Sequence, residues 1–308
     1  MATRALYYPD MPTLTLLLLL ALPLAAMAED RVPAWLVRVP ETTPTVFVAE
    51  TSASALHRFD HVDGVLTKVR QDYMSIGKGG VRKEETGDQR TPLGIYFVTE
   101  QLDTTRLHEK YGVTAFPLDY PNAWDRRLGR SGDGIWVHGV DPNGGARPAR
   151  DTDGCIALPN DRLLELETAF EANVTPVLIA TDLAWTDVAS LTQTRAQLEG
   201  AVMRWAAALE QGDMFAFLEA YDDSFEHWGM NRDEWSAFSL QTVGERPITA
   251  VTVADLLLLG DPVEDGLYLA RFGLAVTEED GRQVKSTRRM YWRRSESGAF
   301  RIVAEDSG

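Results

Sequence analysis

The chain has 308 residues, with 30 Lys plus Arg against 46 Asp plus Glu, a formal charge of −16. Hydrophobic residues make up 44% and charged residues 25%, the profile of a globular protein long enough for about two domains. The acidic balance excludes nucleic acid as a partner, because phosphate binding needs clustered Lys and Arg. With 24 Gly, 15 Pro and one Cys, collagen-like, disordered and disulfide-scaffolded classes are excluded as well.

Residues 1–28 read as a signal peptide. Arg4 precedes an apolar run from Leu14 to Ala26, and Ala26-Met27-Ala28 offers small residues for cleavage after Ala28. The run is short for a transmembrane helix, so no stable membrane span is expected after cleavage. The expected location is the periplasm.

From Ala34 to Tyr73 short strands are predicted at 35–37, 45–48, 55–59 and 65–69, followed by strands at 94–99 and 134–137. A helix is predicted over 160–172, with Asn160 capping it and an apolar stripe of Leu163, Leu166 and Phe170. Strand 177–180 closes a mostly β first domain over 33–182. Residues 183–195 read as a linker. Helices at 195–211 (ended by Gly212) and 214–221, and a third from Asn231, then precede strands at 248–258, 267–276, 285–293 and 300–305. Helices followed by a long meander make 196–306 an α+β domain. Residues 31–182 carry 17 basic and 22 acidic groups, and 183–308 carry 12 and 21.

A single thiol exported without a disulfide partner is either buried and inert or kept for its chemistry. The setting of Cys155 favours chemistry. A strand, Gly134-Ile135-Trp136-Val137, delivers His138 and Gly139 seventeen positions upstream, and an imidazole can act as base toward a thiol. Gly154 lets the backbone approach a substrate, and the amides of Gly154 and Cys155 could bind an oxyanion. His57 and His61 read as solvated surface residues, since no third ligand cluster accompanies them. Lys78, Arg82 and Lys83 beside Gly79-Gly80 lack the order of a phosphate loop. Asp88 and Arg90 read as a structural turn pair. No metal and no cofactor is expected.

Three blocks together resemble the L,D-transpeptidases of the bacterial cell wall, the YkuD-type catalytic domain. They are His138-Gly139 with Thr152-Asp153-Gly154-Cys155-Ile156 and Asn160; Gly87-Asp88-Gln89-Arg90-Thr91-Pro92-Leu93-Gly94-Ile95-Tyr96; and Leu118-Asp119-Tyr120-Pro121-Asn122. The resemblance implies that Cys155 is the nucleophile and His138 its base, oriented by the Gly139 carbonyl. The Gly154 and Cys155 amides would form the oxyanion site, and Arg150, Thr152, Asp153, Tyr120 and Trp136 would contact substrate. The implied substrate is a peptidoglycan stem peptide, with transfer to an amine or to water. A wall-linked lipoprotein or another envelope protein is a further partner it implies, through related hydrolases that release such a protein from the wall. A non-catalytic wall-binding scaffold is the alternative of another class. Many members carry a His where this chain has Asp153 and an Arg where it has Ala157. An acid beside the thiol would raise its pKa, and Arg150 could offset that.

The second domain resembles the cone-shaped nuclear transport factor 2-like (SnoaL-like) fold, through Trp205, Asp213, Tyr221, Phe225, Trp235, Tyr291-Trp292-Arg293 and Phe300-Arg301-Ile302. An accessory role is expected for it, with His227 and Trp228 lining its pocket or closing a helix corner. Residues 29–182 are expected to fold alone.

Overall fold

The structure is a computed structural model that describes Met1 and residues 31–145, 147–244 and 247–307. The expected signal segment lies outside the described residues. Among those described, no helix is long and apolar enough to cross a membrane.

The chain from Arg31 to Gly308 forms one compact unit. Its first part is built from short strands: β1 (Arg31–Pro33), β2 (Leu36–Arg38), β3 (Thr45–Glu50), β4 (Ala55–Val62), β5 (Val65–Tyr73), β6 (Ile76–Gly77), β7 (Gly94–Phe97) and β8 (Ala115–Pro117). A short helix α1 (Ala123–Arg127) leads to β9 (Trp136–His138), β10 (Arg150–Thr152), β11 (Ile156–Ala157), α2 (Asn160–Leu166) and β12 (Pro176–Ala180). A five-stranded sheet has the order β5-β4-β3-β12-β7, and a three-stranded sheet the order β11-β9-β8.

The second part starts with β13 (Trp185–Asp187), α3 (Val188–Gln211) and α4 (Met214–Glu219). It continues with β14 (Tyr221–His227), β15 (Met230–Asn231), α5 (Arg232–Gly244), β16 (Ile248–Gly260), β17 (Leu267–Glu278), β18 (Gln283–Arg294) and β19 (Phe300–Ser307). Helices before a long antiparallel meander give the α+β arrangement expected of this region. Gly212 ends α3 in a left-handed conformation with φ 66°. Residues 183–195, read as a linker, instead hold β13 and the first two turns of α3. β13 pairs with β1, and Arg195 on α3 donates to the Val37 carbonyl at 2.7 Å.

Strand β2 departs furthest from the sequence expectation. It lies outside the five-stranded sheet and forms the edge of a seven-stranded one, β15-β14-β19-β18-β17-β16-β2. Arg38 on β2 pairs with Glu199 on α3, which holds this edge against the helix.

Period-2 alternation explains how the two large sheets meet. On β3, Phe47 and Ala49 face the core of the first part, whereas Val46 and Val48 face away from it. Tyr96, Val177 and Ile179 follow the first pair; Ile95, Phe97 and Leu178 follow the second. On the seven-stranded sheet, Leu256, Leu258, Met290 and Trp292 pack toward α3, α4 and α5, while Leu257, Leu259, Tyr291 and Val303 turn outward. The two outward sets form one shared buried cluster with Phe59, Trp124, Leu267 and Leu269. Burial on both faces is why β16 reads as the unbroken run Leu256–Leu259. The first part therefore shares a core with the second, contrary to the expectation that 29–182 stands alone.

Candidate functional site

The short parallel pairing of β11 on β9 builds the site. Ile156 lies opposite Val137 and Ala157 opposite His138. Val137 and Ile156 are fully buried in the core of the first part, so alternation sends His138 and Cys155 to the other side. There they line one cavity of about 150 Å³ with Lys78, Lys110, Tyr111, Gly134, Arg147, Asp151, Thr152 and Asp153.

Cys155 is 9% exposed and His138 3% exposed. The His138 Nδ1–H donates to the Gly139 carbonyl at 2.6 Å, which leaves Nε2 as the basic nitrogen. Burial pulls the imidazole down to about 4 against that hydrogen bond. Burial likewise pushes the thiol up to about 11, opposed by the backbone at Trp136 and by Lys110. The thiol donates to the Gly134 carbonyl at 3.2 Å. At neutral pH both groups are therefore uncharged.

The turn carrying the thiol is held from two sides. Thr152 Oγ1 donates to the Cys155 carbonyl at 2.7 Å and accepts from the Gly154 N–H at 3.2 Å. Thr91 Oγ1 donates to the Gly154 carbonyl at 2.9 Å and accepts from the Gly77 N–H at 2.9 Å. Gly154 has φ 128°, and a Cβ there would lie 2.8 Å from the Arg90 carbonyl oxygen, so only glycine fits. With the Gly154 N–H engaged, the oxyanion donor that remains is the Cys155 N–H, for which no acceptor occurs among the described residues.

Asn160 does not cap α2. Its Oδ1 accepts from the Val140 N–H at 2.9 Å and its Nδ2 donates to the Val140 carbonyl at 2.8 Å, pinning the chain just past His138 and Gly139. A Cβ on Gly139 would lie 2.2 Å from that Oδ1, which accounts for the glycine after the histidine.

Asp153 is neutralised locally, though not by Arg150. Lys78 reaches it at 3.4 Å, Lys110 at 3.5 Å, and Gln89 Nε2 donates to it at 3.1 Å. Burial alone would raise its carboxyl, and the two lysines hold it below its ordinary value. Arg150 is exposed, lies beside Gly80 and is absent from the cavity wall. Tyr120 also stands apart from the cavity, buried in the core with its hydroxyl donating to the Ser131 carbonyl at 3.1 Å. Trp136 packs on Tyr111 with ring centroids 4.7 Å apart but does not line the cavity. Tyr111 meets His138 edge-on at 5.2 Å.

Sequence reasoning missed Lys110, Tyr111, Arg147 and Asp151, and it weighed Lys78 only as part of a phosphate loop. Asp88 is a turn residue, accepting from the backbone of Glu84, Glu85 and Arg90 and from Lys83 at 2.9 Å. His57 is buried rather than solvated, with Nε2 2.9 Å from Glu50. Among the described residues no cluster of three His, Cys, Asp or Glu could hold a metal.

Residues 47–179 match the YkuD family, the L,D-transpeptidase catalytic domain. This span is similar to an L,D-transpeptidase catalytic domain. The chain is similar in structure to Bd1075 of Bdellovibrio bacteriovorus, at 23% identity and a TM-score of 0.73, over 91% of this chain and 98% of that one. It is also similar to the helical cell shape determining protein Pgp2 of Campylobacter jejuni, at 22% identity and a TM-score of 0.72, over 85% and 91% of the two chains. At these identities the likeness establishes a common fold for both parts of the chain. No curated protein matches it.

Proposed function

We propose that the protein is an exported, cysteine-dependent L,D-transpeptidase acting on peptidoglycan stem peptides through an acyl-enzyme on Cys155. The observation that carries this reading is the placement of Cys155 and His138 on the wall of one cavity, with His138 Nδ1 tied to the Gly139 carbonyl. Because both groups rest uncharged, His138 Nε2 takes the thiol proton as Sγ attacks the substrate carbonyl. The Sγ–C bond forms, the Cys155 N–H donates to the oxyanion, and the peptide C–N bond breaks as imidazolium returns the proton to the leaving amine. An amine or water then takes the acyl group. Lys78, Lys110 and Arg147 set positive charge around a cavity that also presents Asp151 and Asp153, a match for a peptide end bearing both a carboxylate and an amine. Thr152 and Gly154 hold the thiol turn. Residues 33–182 supply the chemistry and 196–306 act as the accessory part.

The name of the Campylobacter structural neighbour extends the proposal to wall remodelling that sets cell shape. The test is mass spectrometry of muropeptides after incubation of isolated sacculi with wild-type protein and Cys155→Ser. Cross-linked products identify an amine acceptor and shortened stems identify water. Full turnover by Cys155→Ser would refute the thiol mechanism.

A further inference from the structure

The second part of the chain encloses a cavity of about 270 Å³, separate from the Cys155 site and walled mostly by apolar side chains, among them Trp205, Phe217, Trp235 and Leu274. It opens to solvent past Phe238, Val284 and Arg282, all exposed. Ser239, Glu278, Arg282 and Arg288 interrupt this apolar lining, and one further acid is fully buried at the wall. Glu305 is 2% exposed, and its Oε1 has no hydrogen-bond partner among the described residues. Its other oxygen is engaged, because Trp205 Nε1 donates to the Tyr221 hydroxyl and Tyr221 donates to Glu305 Oε2, each at 3.4 Å. Tyr221 is itself 2% exposed, so the carboxyl and the phenol stand together against the cavity.

A buried carboxyl oxygen without a donor costs free energy that a bound donor would recover. Burial pushes Glu305 up to about 7, against Arg288 and the Tyr221 hydroxyl. An ammonium donor would sit beside the guanidinium of Arg288, which lines the same cavity, and a carboxylate brings no donor at neutral pH. A neutral hydroxyl avoids both penalties. The volume accommodates one six-membered ring or a short branched chain against the aromatic wall.

We propose that this cavity is a binding site for a small apolar alcohol or phenol, whose hydroxyl donates to Glu305 and whose body packs on Trp205, Phe217 and Trp235. The site is independent of the peptidase-like cavity around Cys155 and does not rest on the reading of that cavity.

The experiment is fluorine NMR titration of the full chain with 4-fluorophenol, fluorobenzene and 4-fluorobenzoate. The expected result is saturable binding of 4-fluorophenol, about tenfold weaker binding of fluorobenzene, and none of the benzoate. Glu305→Gln should bring the phenol down to the level of fluorobenzene. Val276→Trp, which fills the cavity from β17, should abolish binding of both. Both variants should keep wild-type covalent labelling of Cys155 by a carbapenem, a cyclic amide that a reactive thiol opens, which reports an intact fold. Equal affinity for phenol and fluorobenzene, or undiminished phenol binding in Glu305→Gln, would overturn the hydroxyl assignment. No binding of either ligand to wild-type protein would overturn the site.

Discussion

Arg289 on β18 donates from Nη1 to Asp119 Oδ2 at 2.8 Å, joining the seven-stranded sheet to the loop that follows β8. The other oxygen of Asp119 accepts from the Phe97 N–H at 2.7 Å, and the guanidinium lies 4.3 Å from the centre of the Phe97 ring. This ion pair stands beside the apolar cluster shared by the two parts, and it is reinforced by Arg126 with Asp306 and by Trp124 Nε1 with Glu264. Arg289→Ala should therefore destabilise the whole chain by about 3 kcal/mol, the usual scale for stranding one partner of a buried pair. Urea unfolding followed by tryptophan fluorescence measures it.

The same carboxyl predicts a pH dependence. Burial pushes Asp119 up to about 6, against Arg289 and the Phe97 amide. Its folded value lies above its unfolded one, so the protonated form favours folding. The Asp119 contribution is complete below about pH 4 and is lost as pH rises through about 6. Replacing Asp119 with Asn should flatten that part of the stability profile, read as urea midpoints between pH 4 and 7.

Separating the two parts should unfold the first. Truncation after Asp182 strips the cover from Val46, Val48, Phe59, Ile95, Phe97 and Leu178. At roughly 1.5–3 kcal/mol for each large apolar side chain, the loss is on the order of 10 kcal/mol, comparable to the full stability of a domain. The fragment is expected to be aggregated or to lack a cooperative thermal transition. A soluble fragment labelled by carbapenem at the full-length rate would show that the shared cluster is dispensable.

Acylation should have a broad pH plateau. The reacting pair needs neutral His138 and a protonated thiol, so the acid limb belongs near pH 4 and the alkaline limb near pH 11. Carbapenem labelling followed by intact mass gives the profile. Simple alkylation by iodoacetamide, which needs a preformed thiolate, should instead climb steadily above pH 8. His138→Ala should lower carbapenem labelling by roughly a hundredfold or more.

The thiol turn should depend on Thr91 although Thr91 does not line the cavity. Thr91→Val removes the bonds to the Gly77 N–H and the Gly154 carbonyl, both buried, at a cost of about 1–3 kcal/mol. A lower melting temperature and slower labelling of Cys155 are expected together. Thr91→Ser should restore both.

The chain order alone determined the strand-rich first part, the helix-then-meander second part and the candidate thiol–imidazole pair. These rest on period-2 alternation, turn residues, and motif residues packed within a few positions of one another. Tertiary structure decided the rest. Arg150 lies two residues before the Thr152–Ile156 block and Tyr120 within the Leu118–Asn122 block, yet one faces solvent beside Gly80 and the other is buried against the Ser131 carbonyl. Lys110 and Arg147, outside the matched motif residues, line the cavity beside Cys155. Alternation on β3 and β16 shows that both faces are apolar, but it does not say which distant sheet covers each. That choice is made by long-range packing, in which Val46 and Leu257 bury the same water-excluded surface from positions about two hundred residues apart.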